Sequence, residues 1–298
     1  MKEAMFGRLM TAMVTPFTQD GKINFEETER LVEFLIKTGS DSILVTGTTG
    51  ETPTLTHDEE YEMWKTVVKT VNGRVKVMAG TGSNATETSI TSTKMAEKVG
   101  VDAALIVCPY YNKPPQEGIY AHFKHIAENT SLPIMIYNIP GRTSKNIEPD
   151  TIAQMAEIKN IVAVKEASGD LEQMKKIIEL TPDDFLLYSG DDNMTLDVLK
   201  IGGVGVVSVA SHIVGLHLQE MMKQFFDGHI KEAEAINEKL SPLFEHLFIT
   251  TNPIMVKASL NLMGMPVGPV RLPLVNATPE QIEVIAEDLK TLGIKIYQ

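Results

Sequence analysis

Along the chain, short apolar runs alternate with longer stretches in which apolar and charged residues share a helical period. The runs are LMTAMVTPF (9–17), SILVTG (42–47), VKVMAGTG (75–82), DAALIVCPYY (102–111), PIMIYNIP (133–140), IVAVKEAS (161–168), FLLYSGDD (185–192) and GVGVVSVA (203–210). Runs of this length, rich in Val, Ile, Leu and Met, suit strands buried on both faces of a parallel sheet. Between them, NFEETERLVEFLIKTG sets Leu31, Phe34 and Leu35 on one helical face and ends at Gly39, a residue suited to closing a helix. THDEEYEMWKTVVKTV opens with Thr56 and Glu59 at capping-box spacing and carries Met63, Val67 and Val71 along one stripe. NATETSITSTKMAEKVG closes on Gly100 in the same manner.

Eight strands alternating with helices, joined by right-handed crossovers, predict an α/β chain folded as a closed (β/α)8 TIM barrel. An open doubly wound sheet is the alternative, but the G-x-G-x-x-G fingerprint is missing after the first strand. Residues 1–212 are expected to form the barrel. Residues 213–298 are expected to supply its last helix and a helical region packed on it, from EAEAINEKLSPLFEHLF, NPIMVKASLNLMG and TPEQIEVIAEDLKTLG.

Composition narrows the function. The chain is 43% hydrophobic and 22% charged, with a formal net charge of -12. So acidic a chain is unsuited to nucleic-acid phosphates or an anionic membrane surface, and small molecules are the expected partners. The single cysteine, Cys108, excludes a disulfide framework and reads as a buried thiol in a reducing compartment. No apolar stretch reaches the ~18 residues a membrane helix needs, and Glu3 and Arg8 interrupt any leader-like start. A soluble, cytoplasmic protein is expected.

Barrel enzymes draw catalytic groups from the carboxyl ends of strands and the loops that follow. Those places hold Thr48 and Thr49 in GTTGE, Tyr110 and Tyr111 in PYYN, Tyr137 and Arg142 in YNIPGRT, Lys165, and Asp191 and Asp192 in SGDD. Each has a structural reading beside a chemical one. The threonines can cap a turn, the tyrosines can pack, Arg142 can sit in a solvated ion pair, and the aspartates can be helix N-caps. His122 and His125, three apart, lack a neighbouring acid or thiol to complete a metal site. GGVGVV precedes its strand, whereas a barrel's phosphate grip follows one. Lys165 is the residue hardest to explain structurally. It interrupts an apolar strand, and Glu166, its neighbour, should point to the opposite face. Burial favours the neutral amine, which is the nucleophile for a Schiff base with a carbonyl substrate. Hydroxyls can relay the protons, GTTG N–H groups can hold a carboxylate, and Arg142 offers a planar fork for another. The combination points to a lysine aldolase acting on small oxo-acids.

GTTGE, PYYNKPPQEG, YNIPGRT, VKEASG and LLYSGDD follow one another as in the dihydrodipicolinate synthase family, which the chain resembles over essentially its whole length, NPIMVK included. The resemblance implies a lyase of lysine and diaminopimelate biosynthesis that condenses pyruvate with L-aspartate 4-semialdehyde. It implies an imine on Lys165, with Tyr137 as the central proton donor and acceptor. Thr48 and Tyr111 would be relay partners, Tyr111 reaching a neighbouring subunit's site. Thr49 would contact the pyruvate carboxylate, Arg142 would receive the semialdehyde's carboxylate, and Gly190 and Val207 would line the pocket. No metal or organic cofactor is implied, and the expected assembly is a homotetramer, a dimer of dimers. N-acetylneuraminate lyases and keto-deoxy-sugar-acid aldolases share GxTGE and the lysine; paired Tyr110–Tyr111 with GRT favours the synthase. Some members carry a lysine feedback site at a subunit interface. His57, Asn84 and Tyr110 match it, whereas Glu60 and Thr88 depart from it. Weak or absent lysine inhibition is therefore expected.

Overall fold

The computed structural model describes residues 3–297. Eight parallel strands, β1 (Leu9–Ala12), β2 (Ser42–Val45), β3 (Lys76–Gly80), β4 (Ala103–Val107), β5 (Ile134–Asn138), β6 (Ile161–Glu166), β7 (Leu186–Ser189) and β8 (Gly205–Ser208), close into a barrel in chain order. The seam between β8 and β1 is paired like the others, Met10 facing Val207. The strands are shorter than the apolar runs. β1 stops at Ala12 and β4 at Val107, ahead of Pro16 and Pro109, which have no N–H to continue a ladder.

The helices lie between and after the strands: α1 (Phe25–Lys37), α2 (His57–Val71), α3 (Thr86–Val99), α4 (Gln116–Ala127), the short α5 (Pro140–Thr143), α6 (Pro149–Ala156), α7 (Leu171–Leu180), α8 (Thr195–Lys200), α9 (Ser211–Phe226), α10 (Ile230–His246), α11 (Ile254–Leu262) and α12 (Pro279–Thr291). Local sequence explains their ends. Asn24 caps α1 by accepting from the Glu27 N–H, Thr56 and Glu59 form the capping box of α2, and Gly100 ends α3 in the left-handed region. The division expected at residue 213 falls in the first turn of α9.

Alternate strand residues build two cores. Met10, Leu44, Met78, Leu105, Met135, Ala163, Tyr188 and Val207 fill the barrel, while Leu9, Ile43, Val77, Ala104, Ile136, Val164 and Val206 pack outward against the helices. One irregularity breaks the alternation. The β5–β6 register shifts between Ile134, which pairs with Ile161, and Met135, which pairs with Ala163. Val162 and Ala163 consequently both pack on the inner core, and every later residue of β6 changes face.

The C-terminal helices are tied to the barrel by a buried polar group that the sequence pattern did not suggest. Lys257 of α11, 2% exposed, donates to Glu51 at 2.9 Å and to the carbonyls of Thr15 and Pro269, with its ammonium over the Phe17 ring. Glu51 also accepts the Arg271 N–H at 2.8 Å, and the Arg271 guanidinium pairs with Glu59. Removing one partner of such a pair strands the other charge in the interior. Lys257→Met should therefore lower stability by about 3–5 kcal/mol, read as a shift in the urea midpoint. An unmoved midpoint would mean that the network does not hold this region.

Candidate active site

Lys165 lies on the inner face of β6 because of the shift at Val162; strict alternation from the outward Ile161 would have turned it to the helices. It is 6% exposed. Burial lowers its pKa to about 8, opposed by the nearby carboxylates of Asp191 and Asp192. Its Nζ sits 4.1 Å from the centroid of the Tyr137 ring, and Tyr137 is its cross-strand partner on β5. Burial pushes the Tyr137 phenol well above its ordinary pKa, so the hydroxyl keeps its proton at neutral pH. The Thr48 side chain stands beside this hydroxyl and opposes the shift. Thr48, Tyr137 and Arg142 open onto a cavity of about 360 Å³ at the carboxyl ends of the strands.

The GTTGE segment is a tight loop that needs a close backbone approach. A Cβ on Gly80 would stand 2.4 Å from the Thr46 carbonyl oxygen, so only glycine fits there. Within the loop, the N–H groups of Gly50, Glu51 and Thr52 already bond the carbonyls of Gly47 and Thr48. Thr49 turns away from the cavity and accepts from the Asn252 side-chain amide at 2.9 Å. The Asn252 carbonyl accepts from the Arg142 guanidinium at 3.3 Å. Asn252 thus links two predicted site residues, and only its place in NPIMVK could have signalled it. Arg142 makes no ion pair among the described residues, so it is not the solvated salt-bridge partner its loop position allowed.

The aspartates do not act as ordinary N-caps. Asp191 begins a 3-10 turn without a side-chain capping bond. Asp192 reaches across to β8, accepting from Ser208 at 2.5 Å and from the N–H groups of Val209 and Ala210. Desolvation raises the pKa of both, and both carboxylates face Lys165 electrostatically. Gly190 sits where a Cβ would meet Ala167 at 2.6 Å, and Val207 is fully buried in the inner core beneath the site.

Tyr110 lines the cavity; Tyr111 does not, standing 88% exposed with a positive φ of 72°. His57, Glu60 and Thr88 border the same cavity, with His57 Nδ1 2.9 Å from the buried Glu60 carboxylate. Asn84 is outside that lining and bonds Asn112 through its carbonyl. His125 does have acidic neighbours, Glu87 and Glu128 standing 3.9 and 3.8 Å away, whereas His122 bonds the Thr86 hydroxyl. Even so, no group of three such side chains among the described residues is arranged to hold a metal. Cys108 is buried, its thiol pushed up to about 12, so it is inert. No described helix is long and apolar enough to cross a membrane.

The arrangement combines a desolvated amine, a protonated phenol, a hydroxyl beside it and a guanidinium at the rim. Those are the parts imine chemistry on an anionic carbonyl compound needs. The profile of the Dihydrodipicolinate synthetase family matches residues 5–292. The 4-hydroxy-tetrahydrodipicolinate synthase 1 of Halalkalibacterium halodurans is 56% identical over 92% of this chain and 93% of its own. The 4-hydroxy-tetrahydrodipicolinate synthase of a Cyanothece species is 52% identical over 97% of this chain and 99% of its own. The crystal structure of the Cyanidioschyzon merolae DHDPS with lysine bound matches with a TM-score of 0.96 at 48% identity, covering 98% of this chain and 100% of that one. On these grounds the chain belongs to the dihydrodipicolinate synthetase family.

Proposed function

We propose that the chain condenses pyruvate with L-aspartate 4-semialdehyde to give 4-hydroxy-tetrahydrodipicolinate, through an imine on Lys165. The observation that carries this is the buried Lys165 amine held against the Tyr137 ring. With a pKa of about 8, roughly a quarter of the amine is neutral at pH 7.5, against about one part in a thousand for an ordinary lysine. The neutral amine adds to the pyruvate ketone, and the carbinolamine oxygen leaves as water with protons passed through Tyr137 and Thr48. Loss of a methyl proton gives the enamine, whose carbon bonds to the aldehyde carbon. The semialdehyde's own amino group then attacks the imine carbon, closes the ring and releases Lys165.

The segment at Thr48 and Thr49 is assigned to the pyruvate carboxylate, because the next three N–H groups of the loop are already engaged. Arg142, with no carboxylate partner among the described residues, is assigned to the carboxylate of the semialdehyde. A neutral sugar aldehyde, as a neuraminate-type or sugar-acid aldolase would take, offers it no matching anion. Arg142→Ala should raise KM for the semialdehyde at least about tenfold, while KM for pyruvate moves little. Equal loss for both substrates, or faster turnover with N-acetylmannosamine than with the semialdehyde, would count against the assignment.

Tyr111, exposed and held in the left-handed region, is assigned to a neighbouring subunit's site, in a homotetramer built as a dimer of dimers. The compartment is assigned as cytoplasmic, and the reaction is assigned no metal or organic cofactor. The cavity portion bordered by His57, Tyr110 and Thr88 keeps one carboxylate, Glu60, and that group is engaged by His57. Lysine at millimolar concentration is accordingly expected to leave the initial rate nearly unchanged. Half-inhibition at micromolar lysine would contradict this.

A further inference from the structure

Directly behind the Tyr137–Lys165 pair, on the outer face of the same two strands, lies a second cross-strand pair, Asn138 and Glu166. Both are wholly buried. The Asn138 amide donates to both oxygens of the Glu166 carboxylate, at 3.1 and 3.0 Å. Glu166 also accepts the Ser168 N–H at 2.8 Å, closing the end of β6 on its own side chain. The Asn138 side-chain oxygen accepts the Ile147 N–H at 3.0 Å, and the Asn146–Gln173 amide pair shields the group from outside.

This seam is the one whose register slips at its other end. A one-residue slip reverses which face each side chain of a strand occupies. Apolar residues alone do not specify the shifted pairing here, since Ile161, Val162, Ala163 and Val164 would suit either phase. The outer pair does specify it. An Asn amide opposite a carboxylate satisfies both groups in one phase only, and the alternative phase would leave a buried carboxylate without donors.

We propose that Asn138 and Glu166 form a register clamp, setting the β5–β6 pairing that holds the Lys165 amine inside the barrel against Tyr137. They are positioning residues, and the inference rests on the imine reading of Lys165. The test is the rate at which a pyruvate adduct accumulates on Lys165 per folded molecule, trapped with borohydride at successive times, with thermal melting measured alongside. Glu166→Ala should slow trapping at least about tenfold, because small misplacements of reacting groups cost rate steeply. Glu166→Gln, which keeps an amide oxygen for Asn138 and Ser168, should recover most of that loss. Should Glu166→Ala fail to fold, Asn138→Ala breaks both cross-strand bonds to the carboxylate and should slow trapping likewise. Trapping at the wild-type rate in a variant that merely melts earlier would overturn the clamp alone. A wild-type protein that traps no pyruvate on Lys165 would overturn the imine reading and the clamp with it.

Discussion

Lys165→Met is expected to abolish turnover and, at the same time, to make the protein more stable. The loss should be at least roughly 10⁴-fold, since no other lysine stands against Tyr137 to form the covalent intermediate. The gain follows from the pKa. The pKa of Lys165 is depressed from its ordinary value of 10.5 to about 8 by burial, and each unit is about 1.4 kcal/mol. Holding the charged lysine in the folded state therefore costs about 3 kcal/mol. The sign is that of a cation whose folded pKa is lowered. The folded chain binds fewer protons than the unfolded chain between pH 8 and 10.5, so stability rises with pH across that window. Below pH 8 the penalty is complete. The stabilisation by Lys165→Met should be largest there and fade by about pH 10.5. Urea melts of both proteins at pH 7 and pH 10 would measure it. A variant less stable than its parent at pH 7 would mean that the amine is better solvated than its burial implies. The same pKa predicts that kcat/KM for pyruvate rises with pH toward a plateau above about 8.

Tyr137→Phe should lower kcat by roughly 10²–10⁴-fold, the usual scale for removing one general acid–base group. The substitution keeps the ring that packs on Lys165 and removes only the hydroxyl that Thr48 contacts. Lys165 should stay buried and its pKa low. The imine should still form, more slowly, because protonation of the departing carbinolamine oxygen then falls to water or Thr48. Stopped-flow imine formation together with steady-state turnover separates these steps. Turnover within about threefold of the parent would remove Tyr137 from the proton path.

Much of this molecule is legible in its sequence, for identifiable reasons. Strands buried on both faces need continuous apolar runs, so all eight appeared as such, and Thr56, Glu59 and Gly100 mark helix ends where the structure has them. That same doubly buried character hid the bulge at Val162, because four apolar residues in a row carry no phase. The sequence showed a lysine in a strand, and only the register shows why it faces inward. The pairings of Asn252, Lys257 and Glu51 were hidden for another reason. Their partners lie some two hundred residues away in the chain, and a polar side chain's partner over such a distance leaves no periodic trace. Asp192 read as a cap because aspartate before a helix usually is one, whereas here it secures the neighbouring β8 loop.

The most direct test of the account is borohydride reduction in the presence of pyruvate, followed by peptide mapping. One pyruvate-derived adduct is expected, on Lys165. Lys257, the other described lysine that is buried, should remain unmodified because its amine is engaged by Glu51 and the Thr15 and Pro269 carbonyls, away from Tyr137 and Arg142. No adduct, or an adduct elsewhere with Lys165 intact, would contradict the assignment of Lys165 as the nucleophile.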